Sequence, residues 1–248
     1  MMKQPLFRHL LVLCLSVAAP VALAASNGTA VGVRPDAVVR VNSIDRILEV
    51  GADVSVGEVI VTGPAGQVQI VFSDNTRLVV GPGSSLLIET YLMASSNTAK
   101  ELTINALSGS FRFITGNSPK PAYTINTPTA SIAVRGTEFD IISEPRSTRV
   151  MLYEGALQLC NSAGLCTDVT DRCQVGVASS DVTLFDRNDP ERTPLGLEFR
   201  YARFQAPLLP EFRVDGAAIC AEPPSPESTP QTLNPGSGPA PSRNYNTP

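Results

Sequence analysis

Histidine and tryptophan are almost missing from this chain of 248 residues, which contains one histidine, His9, and no tryptophan. His9 lies in an N-terminal segment that we expect to be removed, so the exported chain would carry no imidazole. This absence excludes Ser-His-Asp and Cys-His catalysis, zinc sites built on histidine and pH switching by histidine. The sequence therefore predicts no catalytic residue, no metal site and no cofactor.

Clusters of basic residues are lacking as well. The 19 Lys and Arg residues are outnumbered by 23 Asp and Glu residues, the net charge is −4, and the basic residues form no run or stripe. Binding to a phosphate backbone needs clustered Lys and Arg. The sequence therefore predicts no nucleic-acid partner.

Long apolar runs are confined to the N terminus. Lys3 and Arg8 precede an apolar stretch over residues 10–21, which is followed by an Ala-Leu-Ala motif that ends at Ala24. This order is typical of a cleaved signal peptide, here residues 1–24. The alternative is a membrane anchor, but a spanning helix needs about 20 apolar residues. We expect a periplasmic or secreted protein with no retained transmembrane helix, after cleavage near Ala24.

The exported chain would contain four cysteines, Cys160, Cys166, Cys173 and Cys220. An even number in an exported protein predicts two disulfides, for which three pairings exist. A metal site is disfavoured because the spacings do not match C-x2-C. We favour Cys160–Cys166 across a hairpin loop, on its outer face, and Cys173–Cys220 pinning the C-terminal segment to the core. A Cys166–Cys173 bridge is nearly as plausible.

Residues 38–180 are rich in Val, Ile, Thr, Leu and Phe and are interrupted at short intervals by Gly, Pro, Asn or Asp. That pattern predicts an all-β core of many short strands, either solenoid-like or sandwich-like. The Ser73-Asp74-Asn75 sequence between two apolar runs predicts a tight hairpin, because Asp and Asn tolerate a left-handed backbone. No helical period is present before residue 180.

The flanks differ in composition from this core. Residues 25–37 are small and polar and are predicted to be a flexible leader. Residues 181–220 are predicted to be a short cover segment, as a helix or a flap, because Phe199 and Phe204 need burial. Residues 221–248 are mostly Pro, Ser, Gly and Asn and are predicted to be a disordered tail.

Four motifs carry a resemblance to a known family. Residues 127–141 read TPTASIAVRGTEFDI, and residues 150–157 read VMLYEGAL. Upstream, residues 57–63 read GEVIVTG and residues 72–76 read FSDNT. In order and spacing these motifs resemble the FecR domain, the periplasmic part of ferric-citrate-regulator-type sensors. The resemblance covers roughly residues 38–180.

The residues of the signature have a structural interpretation. Pro128 fixes a backbone angle at a bend, and Gly136 is expected to adopt a positive φ. Arg135 and Glu138 are close enough in sequence to form an ion pair across the turn; the alternative is that Arg135 binds an anionic ligand. The signature residues that we single out are Thr127, Pro128, Arg135, Gly136, Thr137, Glu138, Phe139, Glu154 and Gly155.

The resemblance implies a non-enzymatic domain of the cell envelope. Complete family members also have a cytoplasmic segment that controls a sigma factor, a transmembrane helix, and a signal input from an outer-membrane transporter. None of these parts is recognisable in this sequence. We therefore expect a free-standing exported module that binds an envelope protein partner or senses a signal.

Two alternatives stay open: a structural or peptidoglycan-associated protein, and an enzyme that acts on envelope polymer through paired carboxylates. The candidate acids for the enzyme are Asp74, Glu138, Asp140 and Glu154. We expect them mostly in turns or on solvated strand faces, with no two of them in one cleft, so catalysis is the less favoured interpretation.

Overall fold

The computed structural model describes residues 27–119 and 122–222. The predicted signal peptide and the predicted tail beyond residue 222 lie outside the described residues. Ala221 is buried as the last residue of a helix, Ala217–Ala221, so ordered structure runs past the boundary predicted at Cys220. No helix in these two stretches is long and apolar enough to cross a bilayer.

Strands make up 52% of the described residues and helices 10%, which confirms the all-β prediction. The strands form one continuous sheet that folds into two layers, here called layer A and layer B. Layer A contains β1 (Gly28–Arg34), β4 (Asp53–Val54), β6 (Gln67–Phe72), β7 (Arg77–Val80), the C-terminal part of β9 (Thr98–Ile114), β12 (Glu138–Glu144), β13 (Ser147–Glu154), β16 (Val175–Ala178) and β17 (Val182–Phe185). Layer B contains β2 (Ala37–Val41), β3 (Ile44–Ile47), β5 (Val59–Thr62), β8 (Ser85–Ser95), the N-terminal part of β9, β10 (Tyr123–Asn126), β11 (Ala130–Val134), β14 (Leu157–Asn161) and β15 (Cys166–Val169).

The chain alternates between the layers, mostly one hairpin at a time. The β6–β7 hairpin lies in layer A, β10–β11 in layer B, β12–β13 in layer A and β14–β15 in layer B. The β6–β7 hairpin turns at Ser73-Asp74-Asn75, as predicted, with Asn75 at φ +67°. Each layer grows by successive hairpins, as in a solenoid, while the two layers face each other as in a sandwich.

Strand β9 joins the two layers. Its residues 98–108 pair with β8, and its residues 109–114 pair with β7 and β12. The strand bends at Gly109, which has φ +107° and whose Cβ position would lie 2.1 Å from the Ser84 hydroxyl oxygen. Only glycine fits this bend. One strand thus connects the layers without a loop.

The main hydrophobic core fills the space between the layers. Alternate residues of most strands point into it, so both layers contribute to one cluster. Representative members from layer A and layer B are Ile70, Leu78, Phe111, Phe113, Phe139, Val150, Leu152, Ile60, Ile88, Ile104, Ile125, Ile132, Leu157 and Leu159.

The predicted flexible leader is a strand. Residues 28–34 form β1, which pairs with both β4 and β6, and Ala30 is fully buried. Small residues are required there, because a Cβ on Gly28 would lie 3.1 Å from the Val71 carbonyl oxygen. The small, polar composition therefore reflects close packing against β6.

The segment after β17 covers the outer face of layer A. It contains α1 (Arg192–Glu198), α2 (Arg200–Arg203), a 3-10 turn (Pro210–Phe212) and α3 (Ala217–Ala221). Phe199 packs with Met151 and Val175 of layer A in a second hydrophobic cluster. Phe204, which was also expected to be covered, is 57% exposed. The C-terminal segment thus buries the outer face of layer A, which the strands alone would leave exposed to solvent.

Candidate functional site

The signature begins at a turn between β10 and β11. The Thr127 hydroxyl accepts a hydrogen bond from the Ala130 amide at 2.9 Å and shares a hydrogen bond with the Thr148 hydroxyl at 2.6 Å. The Thr129 hydroxyl lies 2.7 Å from the same Thr148 oxygen. Pro128 stands between the two threonines. This turn ties layer B to β13 of layer A.

The second signature turn, between β11 and β12, is held by Thr137. Its hydroxyl donates to the Ala156 carbonyl at 2.8 Å, and its amide donates to the Thr115 hydroxyl at 2.8 Å. Gly136 has φ +69°, which confirms the positive φ expected for it. Thr137 thereby fixes three chain segments to one another.

Arg135 does not form the expected pair. The residue is exposed, and no ion pair joins it to Glu138 in the described part of the chain. The turn at Gly136 separates the two side chains, because Glu138 continues into β12 opposite Glu154. The ion pair expected from their sequence spacing is wrong.

Glu138 and Glu154 instead line one polar pocket of about 200 Å³ with Arg172, Arg213 and Asp215. Burial raises the pKa of Glu138, and the nearby Glu154 carboxylate raises it further. The expectation that no two candidate acids share a cleft is therefore wrong for this pair. Glu138 and Glu154 are cross-strand partners in the β12–β13 hairpin, beside a register shift between Glu138 and Phe139 that the sequence pattern does not show.

The other two candidate acids are buried. Asp74 is fully buried and accepts hydrogen bonds from the Ser118 and Tyr123 hydroxyls at 2.6 and 2.9 Å. It also accepts hydrogen bonds from the Thr76 amide and hydroxyl. Five donors, with the Tyr91 hydroxyl at 3.3 Å, satisfy this carboxylate. Asp74 lies in a turn, as expected, but its side chain is buried and accepts the hydrogen bonds that hold the turn together.

Asp140 forms a buried ion pair with Arg112. The Arg112 Nε and Nη2 atoms donate to the two carboxylate oxygens at 2.7 and 3.0 Å, and the Tyr153 hydroxyl donates to Oδ2 at 2.7 Å. Burial opposes the charge of Arg112, but the Asp140 carboxylate outweighs that effect and raises the pKa of Arg112. The ring of Tyr201, in the C-terminal segment, stacks on the guanidinium, with 5.6 Å between the Arg112 Cζ atom and the ring centroid.

Arg112 alternates with Phe111 and Phe113 along β9, a pattern typical of a polar strand face turned toward water. The side chain does lie on the outer face of layer A, as the alternation requires, but the C-terminal segment covers that face. Gln205 and Phe212 of this segment accept hydrogen bonds from Arg112. In the sequence, only the apolar residues of the cover segment, such as Tyr201, indicated that this segment would bury a polar strand face.

Both predicted disulfides are present. Cys160 and Cys166 lie opposite each other in the β14–β15 hairpin, and Cys173 is joined to Cys220 of α3. The alternative Cys166–Cys173 bridge is therefore wrong. Disulfides of this kind are typical of proteins from an oxidising, extracytoplasmic compartment.

A buried arginine donates hydrogen bonds to both residues of the Cys173–Cys220 disulfide. Arg192 is fully buried; its Nε donates to the Cys173 carbonyl at 3.0 Å, and its Nη2 donates to the Cys220 carbonyl. Burial lowers the pKa of Arg192. One guanidinium therefore bridges the backbone on both sides of the disulfide, which fixes α3 against the core.

No group of three or more metal-ligating side chains comes together in the part of the chain that the structure describes. Of the four candidate acids, two are satisfied inside hydrogen-bond networks and two share the polar pocket. Around the signature, the side chains connect backbone segments.

An exposed apolar edge lies at the N-terminal end of layer B. Ile44 and Ile47 of β3 are 72% and 74% exposed, and Val50 is 65% exposed. Large apolar side chains exposed together are a common property of contact surfaces.

Comparisons with known proteins agree with the sequence motifs. Residues 58–158 match the family model described as FecR protein. Two crystal structures of a candidate anti-sigma factor from Parabacteroides distasonis ATCC 8503, at 1.65 and 2.50 Å resolution, are similar at 13% sequence identity and a TM-score of 0.41. The alignment covers 52% of this chain and 59% of the solved chain, so it spans less than two thirds of the length of that solved chain. No curated protein matches the chain.

Proposed function

Because the chain carries a FecR domain over residues 58–158, we propose that it is a non-enzymatic module that binds a protein of the cell envelope or senses a signal through it. The family match is the observation that carries this proposal. We place the module in the periplasm, after removal of residues 1–24, and both disulfides are compatible with an oxidising compartment.

The signature residues have a structural role in this proposal. Thr127 and Thr137 tie backbone segments together, and Gly136 and Gly155 allow a close backbone contact. Phe139 is fully buried in the core. The signature therefore maintains the scaffold, and a partner contacts surfaces outside it.

The polar pocket is the observation that would favour an enzyme. It contains two carboxylates, as a glycoside hydrolase site does, but its volume of about 200 Å³ is smaller than the ~300 Å³ at which ligand pockets begin. Arg172 and Arg213 also line it and supply positive charge near the acids. These features favour a structural role for Glu138 and Glu154.

The test uses the purified exported chain with envelope extract and with isolated peptidoglycan sacculi. We expect saturable capture of one protein at a defined stoichiometry, no co-sedimentation with sacculi and no release of soluble sacculus fragments. Co-sedimentation without a protein partner would support the peptidoglycan-associated alternative. Release of fragments by the wild-type chain, but not by Glu154→Gln, would support the enzyme.

A further inference from the structure

Strand β3 has one open edge. In the residues that the structure covers it pairs only with β2, through a turn in which Asn42 and Ser43 both have positive φ. The Leu48 amide donates to the Ala37 carbonyl at 3.0 Å. Since hydrogen-bonded pairs alternate along an antiparallel ladder, the backbone groups of Asp45 and Ile47 point away from β2. They are available to a further strand.

An apolar groove lies beside this edge. It has a volume of about 530 Å³, and its walls include Val33, Pro35, Val38, Ile47 and Val50. Ile47 and Val38 are cross-strand neighbours on the same face. A strand added to β3 would thus place alternate side chains against this apolar surface.

Two carboxylates, Asp36 and Glu49, stand at the groove. Both are exposed, and neither forms an ion pair within residues 27–119 and 122–222. The cations of β2 and β3 are already engaged, since Arg40 pairs with Asp45 and Arg46 with Glu58. No basic residue lines the groove, so its free charge is negative.

We propose that the β3 edge and this groove bind an extended segment of the partner protein in which apolar side chains alternate with lysine or arginine. The inference rests on the proposed function and names the partner's chemistry. The segment pairs its backbone with Asp45 and Ile47, places its apolar side chains beside Ile47 and Val50, and directs a basic side chain to Asp36 or Glu49.

A second copy of this chain is a poorer occupant. Its own β3 edge carries the same groove acids, so a symmetric pairing would bring Asp36 and Glu49 toward like charges. The net charge of −4 adds to this repulsion. Charge complementarity therefore favours a basic segment of another protein.

The experiment titrates two short blocked peptides into the isotopically labelled exported chain and follows the backbone amide shifts. In the first peptide valine alternates with lysine, and in the second valine alternates with glutamate. We expect the first peptide to shift the amides of Asp45, Ile47 and Val50 saturably and the second to bind at least about threefold more weakly. The difference should shrink at high salt.

Two variants test the contacts. Ile47→Glu should weaken binding of the lysine peptide by about tenfold or more, because an apolar contact is lost. Asp36→Asn combined with Glu49→Gln should weaken it about three- to tenfold, with little effect in high salt. Leu92→Glu is the matched control, since Leu92 is a 49% exposed residue of β8. It should bind like the wild type.

Absence of binding by both peptides, shifts centred elsewhere, or equal binding of the two would overturn the inference. So would a dimer, measured by sedimentation, that Ile47→Glu dissociates, because the occupant would then be a second copy. If the Ile47→Glu variant still captures the envelope partner normally, the result supports the proposed function and rules out the β3 site. If the peptide binds as expected but the wild-type chain captures no envelope protein, the result rules out the proposed function and supports the β3 site.

Discussion

A Cβ atom on Gly155 would lie 1.9 Å from the carbonyl oxygen of Gly136, so these two glycines of the signature are in direct backbone contact. Gly155 has φ +84° and Gly136 has φ +69°. The contact joins the turn before β12 to the turn after β13. It explains why the signature needs glycine at two places that are distant in the sequence.

Gly155→Ala should therefore destabilise the domain by about 3 kcal/mol, because it combines a strained φ with overlap against backbone that cannot move away. Gly164→Ala is the matched control: Gly164 has φ +81°, but nothing lies within 4 Å of its Cβ position. The control should cost about 1 kcal/mol, from strain alone. Chemical denaturation measures both, and equal losses would contradict the importance of the contact.

Removing one member of the Arg112–Asp140 pair should be severe. Asp140→Leu leaves the Arg112 guanidinium buried without its counter-ion and should cost about 3–5 kcal/mol. The double variant Arg112→Met/Asp140→Leu removes both charges and should recover a large part of that loss. A double-mutant cycle from urea denaturation gives the coupling. If the two single losses simply added, the pair would not be acting as a unit.

The pH dependence of stability should contain a contribution from Glu138. Its pKa is raised in the folded chain, by burial first and by Glu154 second, so the folded state binds this proton more tightly than the unfolded state does. Ionisation of Glu138 therefore costs stability above its folded pKa. That cost fades as the pH falls through the folded value and is absent below the usual value of 4.5.

Glu138→Gln should accordingly raise the melting temperature at neutral pH, and the gain should vanish near pH 4. The measurement is a series of thermal melts of the variant and the wild type between these limits. Glu89→Gln, at an exposed position of β8, is the control and should change the melting temperature little. A gain that persists at acidic pH would assign the effect to packing instead of charge.

The two disulfides should contribute unequally. Cys173–Cys220 closes a sequence separation of 47 residues and Cys160–Cys166 one of 6, so the chain-entropy relation gives about 4 and about 2 kcal/mol. Cys173→Ser/Cys220→Ser should also increase hydrogen exchange in α1 to α3, because the bond ties this segment to the core. Cys160→Ser/Cys166→Ser should leave exchange there unchanged. Equal losses for both pairs would contradict the loop-length argument.

Local chemistry was sufficient for much of the fold. Alternation of apolar residues between turn residues predicted the strands, Asp74 and Asn75 predicted the β6–β7 turn, and the positive φ of Gly136 followed from its place in a tight turn. The position of the two cysteines across a hairpin loop favoured the Cys160–Cys166 bridge, while the Cys166–Cys173 alternative stayed open. Each of these features depends on residues that are close in sequence.

The sequence by itself thus determined the strand pattern and the tight turns, because neighbouring residues fix them. Only the tertiary structure decided that β1 is ordered, that Arg112 and Asp140 are buried, that Glu138 faces Glu154 and not Arg135, and that β3 keeps an open edge. Most of these outcomes depend on which surface a distant segment covers, whereas the position of Glu138 opposite Glu154 depends on a register shift within the β12–β13 hairpin. The pattern of a strand shows that one face is polar, but the C-terminal segment that folds over layer A decides whether that face meets water.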